Sequence, residues 1–167
     1  TWPGIWRMDE FGILTSAVQL FPHFWQNYIT SVFYIYALML FPFPAGVILV
    51  QIICISLIIA RLVTLCLSAE SEQIGKKKKS ICYSLMLVPF LLLPVLDSNL
   101  YPMRVSMHAF LELWLLAELY FNWKKNTMPA WYLSVLAAVV TVWRTEAIYY
   151  VVCFPLLLLW MGRGKKY

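Results

Sequence analysis

The sequence predicts an all-α, polytopic transmembrane helical bundle with a juxtamembrane or re-entrant helix region on its outer face, and three observations predict it. Composition comes first: 62% of residues are hydrophobic, 17% aromatic and only 13% charged, with a mean hydropathy of +0.75. That balance is not one of a soluble domain. Charge distribution is second, because the basic residues cluster in blocks at Lys76 to Lys79, at Lys124 and Lys125, and at Arg163, Lys165 and Lys166. The positive-inside rule assigns all three blocks to the cytoplasmic side. The third is the spacing of the apolar runs, since a crossing needs about 20 apolar residues and a chain of this length holds about five or six of them. A soluble enzyme is excluded, and so is a nucleic-acid role, because basic blocks separated by apolar spans are topology signals or anionic-lipid contacts.

The chain opens with Trp-Arg-Met-Asp-Glu-Phe-Gly at residues 6 to 12. Charge beside a bilayer is costly, so the adjacent carboxylates of Asp9 and Glu10 mark a functional candidate. Residues 1–45 are expected to form an outer loop with this acidic motif and juxtamembrane helices, and residues 46–167 to form about five spans. Between them, Phe24 to Phe43 is apolar and long enough to resemble a crossing. Trp25, Gln26, Asn27, Tyr28, Tyr34 and Tyr36 nevertheless favour the interface, and Pro22, Pro42 and Pro44 bracket the segment. It reads as an interfacial or re-entrant helix on the outer side. If it crossed instead, Asp9 and Glu10 would lie opposite Arg104 and Arg144.

The spans then follow from the basic blocks. Gly46 to Ser68 runs inward, Ser80 to Leu96 runs outward with kinks at Pro89 and Pro94, and Ser106 to Trp123 returns inward. Ala130 to Val142 runs outward, and Ala147 to Met161 comes in again. Several of these runs are short for a core of about 30 Å, so their ends must extend into flanking polar residues. Three segments remain outside: the start of the chain, Asp97 to Arg104, and Arg144 to Glu146. They gather Asp9, Glu10, Asp97 and Glu146 with Arg7, Arg104 and Arg144.

The remaining polar residues read as structural. Glu112, near the middle of its span, must be protonated, paired or turned to the interior. Arg61 and Glu118 lie toward the cytoplasmic ends of neighbouring spans and suit an ion pair. His108 reads as a packing histidine, since no second His or Cys stands at metal-ligand spacing. Cys54, Cys66, Cys82 and Cys153 have no CxxC spacing, which indicates neither a disulfide framework nor a metal site. A start at Thr-Trp-Pro and a stop at Gly-Arg-Gly-Lys-Lys-Tyr lead to the expectation of a fragment of a longer polypeptide.

Asp-Glu-Phe-Gly followed by Ala17, the aromatic turn at Phe21 to Trp25, the Tyr-rich helix, Pro42 to Pro44 and a spanning helix together resemble the first large outer loop of GT-C-type integral membrane glycosyltransferases. Leu133 to Trp160, LSVLAAVVTVWRTEAIYYVVCFPLLLLW, is similar to the helix, T-R-x-E corner and following helix of many bacterial members, with Trp143 at a position usually Thr or Phe. Asp97 to Arg104 falls where a second acidic loop motif lies in that family. The resemblance covers nearly all of the chain, and it implies a GT-C-like fold in a bacterial cytoplasmic membrane, with the active site facing outward and the family's first helix upstream.

What the resemblance implies chemically is transfer of a sugar from a polyprenyl-phosphate-linked donor to an acceptor hydroxyl on a glycan, lipid or protein. The acceptor must lose its proton as the anomeric carbon is attacked, which a carboxylate base accelerates about 10²- to 10⁴-fold. Asp9 takes that role, as the first acidic residue of the motif does in relatives, and direct attack inverts the anomeric carbon. Glu10 shapes the site or helps hold a divalent cation such as Mg²⁺ or Mn²⁺, because relatives differ in metal use and hard cations take oxygen ligands. Arg144 leads and Arg104 follows as candidates for the donor phosphate, since an arginine fork grips phosphate bidentately and keeps its charge. Glu146, Asp97 and His23 stand as supporting residues. The alternatives are a transporter or flippase, which would suit Glu112, Pro89 and Pro94, and a non-catalytic subunit of a membrane complex.

Overall fold

The computed structural model describes residues 8–23, 28–68, 76–93, 95–96, 104–125, 127 and 130–162. Regular structure among them is all helical: α1 (Met8–Val18), α2 (Tyr28–Leu40), α3 (Pro44–Ser68), α4 (Lys76–Leu87), α5 (Arg104–Lys124), α6 (Tyr132–Trp143) and α7 (Tyr150–Gly162). Two 3-10 segments, Val88–Leu91 and Thr145–Tyr149, extend α4 and precede α7. Two helical stretches, Pro44–Leu67 and Thr145–Gly162, are long and apolar enough to cross a membrane. The other expected spans are helical but fall short of that length or apolarity. The 12 residues of α6 rise only about 18 Å, and the 21-residue α5 carries Glu112 and Glu118 within its length.

Ring contacts and ion pairs fix the helix directions. Arg61, near the end of α3, meets Glu118, near the end of α5, at 2.7 Å, so these two helices run parallel. Trp123 and Trp160 stack with centroids 5.9 Å apart, while Tyr150 reaches Glu112, so α7 runs the same way. Trp143, at the end of α6, bonds to Arg104, at the start of α5, which makes α6 antiparallel. Phe90, just past α4, lies 6.1 Å from Phe110, and α4 is antiparallel too. One end of the bundle thus carries the starts of α5 and α7 with the end of α6. The other carries Lys124, the end of α7 and the first turn of α4.

Proline chemistry accounts for the break after α4. Pro89 has no N–H for a continuing helix, and it sits in the first turn of the 3-10 segment, where that donor is not needed. The expected kinked helix is therefore an α-helix ending at Leu87 followed by a 3-10 turn, while Pro94 lies outside the described residues. Corner residues behave similarly at the other break. Arg144 is extended at φ −137° and ψ 141°, so α6 stops at Trp143, and the chain re-enters helix through a 3-10 turn before Tyr150.

The main core joins α3, α5, α6 and α7 through Ile58, Leu111, Leu115, Leu133, Val140 and Phe154. A smaller one joins α1, α2 and the start of α3 through Ile13, Ala17, Tyr34, Ala37 and Val47. Gly46 makes the second arrangement possible, because any Cβ there would collide with the Phe41 carbonyl and side chain. The chain turns sharply at Phe41 to Phe43, held by Gly46 N–H donating to the Phe43 carbonyl at 2.8 Å.

Candidate functional site

Trp143 organises the end of the bundle where the site lies. Its indole Nε1–H donates to the Arg104 carbonyl at 3.1 Å, and its own carbonyl accepts the buried Thr30 hydroxyl at 3.3 Å. The Phe33 ring packs edge-on against the indole with centroids 5.4 Å apart. The start of α2 is therefore clamped where α6 ends and α5 begins. At 13 residues, α2 is about 20 Å long, short of a core of about 30 Å.

The turn between α1 and α2 is equally fixed. Helix α1 closes with Phe21 N–H donating to the Ser16 carbonyl and Leu20 N–H to the Ala17 carbonyl, both at 3.0 Å, with Leu20 in the left-handed region at φ 56°. This is a Schellman closure with leucine where glycine is usual. It brings His23 back onto α1, where Nδ1 is 3.0 Å from Ser16 Oγ. Ser31 Oγ, fully buried, accepts the His23 N–H at 3.1 Å and donates to the His23 carbonyl at 3.4 Å. His23 thus acts as a peg between α1 and α2.

Of the acidic pair, Asp9 and Glu10 occupy the first turn of α1, of which the backbone is described. Arg7 and Asp97 lie outside the described residues. Arg104 is the first residue of α5 and half-buried, and Arg144 caps α6. The Trp143 bonds bring the backbones of the two arginines together. Arg144 grips Glu146 with a fork, Nε to Oε2 at 3.1 Å and Nη2 to Oε1 at 2.8 Å, and Thr145 Oγ1 adds a bond to Oε2 at 3.3 Å. Two-thirds of the Glu146 side chain and 30% of the Arg144 side chain are exposed, so the pair lies at the surface.

Below this corner lies a cluster absent from the sequence-based site. Glu112 Oε1 accepts the hydroxyls of Tyr149 at 2.9 Å and Tyr150 at 2.6 Å, and Oε2 lies 3.7 Å from His108 Nδ1. Glu112 is thus paired, one of the three outcomes its position required. His108 is buried, with an Nε2 that makes no hydrogen bond. The signal for the tyrosines was their place in an otherwise aliphatic run directly after Glu146. At the far end, the expected Arg61–Glu118 pair is present, with Glu118 buried and accepting the Trp114 indole N–H at 3.2 Å.

Among the described residues no group of three or more His, Cys, Asp or Glu is arranged to hold a metal ion. Asp9 and Glu10 are neighbours in the first turn of α1. The four cysteines are free. The chain matches no family model, no curated protein and no solved structure.

Proposed function

We propose that this chain is a multi-pass membrane glycosyltransferase of GT-C type, moving a sugar from a polyprenyl-phosphate donor to an acceptor hydroxyl at the outer face. The observation that carries the reading is the clamp of Thr30 and Phe33 onto Trp143, which holds α2 at the end of the bundle bearing Arg104 and Arg144. Helix α1 packs on α2 through Ile13, Ala17, Tyr34 and Ala37, and Ser16 and His23 tie its last turn to the start of α2, which supports a place for α1 beside that same end. A carboxylate and arginines at one mouth are what the transfer needs.

The chemistry divides among these residues. Asp9 takes the proton of the acceptor hydroxyl as the anomeric carbon is attacked, and the configuration inverts. Arg144, with Arg104 beside it, neutralises the departing lipid phosphate. Glu146 holds the Arg144 fork in place until the donor arrives, and His23 keeps α1 against α2. Any divalent cation would be held by Asp9 and Glu10, which supply two of the several oxygens such an ion requires.

The direct test is transfer from radiolabelled polyprenyl-phosphate sugars by the full-length protein in bilayers. Asp9→Asn should lose transfer by at least about 100-fold, the scale of a missing general base. Wild-type transfer by that variant would sink the mechanism.

A further inference from the structure

The face of α5 and α7 below the Arg144 corner has the wrong chemistry for contact with lipid. Glu112 sits two turns into α5, and 28% of its side chain is exposed. Tyr149 beside it is 48% exposed. A carboxylate at that depth is stable only against protein or water, and the described protein leaves it partly uncovered. Further along α7, Val151, Val152, Leu156 and Leu159 are exposed as well, but they are aliphatic and suit lipid. The polar patch is therefore local.

We infer that this patch is the wall of a water-filled cleft opening toward Arg144, and that Glu112 binds a hydroxyl of the donor sugar there; the identity of that ligand rests on the transferase reading. The geometry specifies the interaction. Both tyrosine hydroxyls are spent on Oε1, whereas Oε2 has only His108 Nδ1 at 3.7 Å, beyond hydrogen-bonding range. One carboxylate oxygen is left to accept an O–H. The exposed Tyr149 ring, stacked on Tyr150 with centroids 4.5 Å apart, offers a rigid apolar surface for the C–H face of a pyranose. Tyr149 follows Arg144 by five residues across a single 3-10 turn, so a phosphate at the arginine leaves its sugar next to this patch.

Cys153, exposed and one helical turn beyond Tyr149, is a native reporter for the cleft. The full-length protein, with Cys54, Cys66 and Cys82 replaced by serine, would be reconstituted and treated from the outer side with membrane-impermeant methanethiosulfonates. The cationic reagent should modify Cys153 several-fold faster than the anionic one. Glu112→Gln, which keeps an acceptor for both phenols, should abolish that preference. A polyprenyl-phosphate sugar should slow the modification, and the same polyprenyl phosphate without sugar should not. Reaction only with a bilayer-soluble maleimide would overturn the cleft. An unchanged preference in Glu112→Gln, or equal protection with and without sugar, would overturn the role of Glu112. Labelling needs no turnover, so a chain that labels as described yet transfers no sugar would refute the transferase reading and leave the cleft standing.

Discussion

The Trp143 indole N–H donates to the main-chain carbonyl of Arg104 at 3.1 Å, a bond across 39 residues that ties the end of α6 to the start of α5. Both candidate phosphate-binding arginines are positioned through this one side chain. Trp143→Phe keeps most of the ring contact with Phe33 and removes the donor, leaving a carbonyl to find another partner. A loss of about 1–2 kcal/mol is expected, read as a lower melting temperature in detergent, together with weaker donor binding.

Arg144→Lys separates a structural charge from a phosphate grip. Lysine keeps the charge beside Glu146, so the melting temperature should hold. The planar fork is lost, and transfer should fall by at least about tenfold, since a bidentate contact is worth more than a point charge. Equal loss of stability and activity would assign Arg144 to the fold alone.

The Arg61–Glu118 pair should respond asymmetrically. Glu118 is 2% exposed, whereas 45% of the Arg61 side chain is exposed. Arg61→Met leaves a buried carboxylate facing neutral donors, and a loss of about 3 kcal/mol is expected. Glu118→Gln leaves an arginine that can turn toward water, so its loss should be nearer to 1 kcal/mol. Thermal unfolding of the two variants checks the order.

Chelation should leave transfer intact. Asp9 and Glu10 alone fall short of the roughly six oxygen ligands that a tightly held Mg²⁺ or Mn²⁺ takes, so tight cation binding is not expected. Activity measured in EDTA and after addition of Mg²⁺ or Mn²⁺ should differ by less than twofold.

Much of the helical order was legible in the sequence because it is written in single residues. The basic blocks at Lys76 and Lys124 mark where helices begin and end, and Pro44 and Pro89 punctuate α3 and α4. The Arg61–Glu118 pair was legible because two charges in apolar runs have few alternatives. The Glu112 cluster was not, since Tyr149 and Tyr150 lie 37 and 38 residues from Glu112, and a tyrosine is equally at home at an interface or in a core. The end of α6 was legible as well, because Arg144 to Glu146 interrupt the apolar run where the extended Arg144 stops the helix; the length of α4 was misjudged, since the span read from Ser80 to Leu96 begins at Lys76 and gives way to a 3-10 turn at Val88. The role of His23 as a peg was hidden too, because it depends on Leu20 adopting a left-handed turn that leucine rarely takes.

Sidedness tests the central claim most directly. Single cysteines at Gln19, Pro42, Thr145 and Thr127, all exposed, report respectively the ends of α1 and α2, the corner after α6 and the loop before α6. With an impermeant thiol reagent on sealed vesicles, Gln19→Cys, Pro42→Cys and Thr145→Cys should label from one side, and Thr127→Cys from the other. Labelling of Gln19→Cys from the side opposite Thr145→Cys would mean that α2 crosses the membrane, separating Asp9 from Arg144 and contradicting the account.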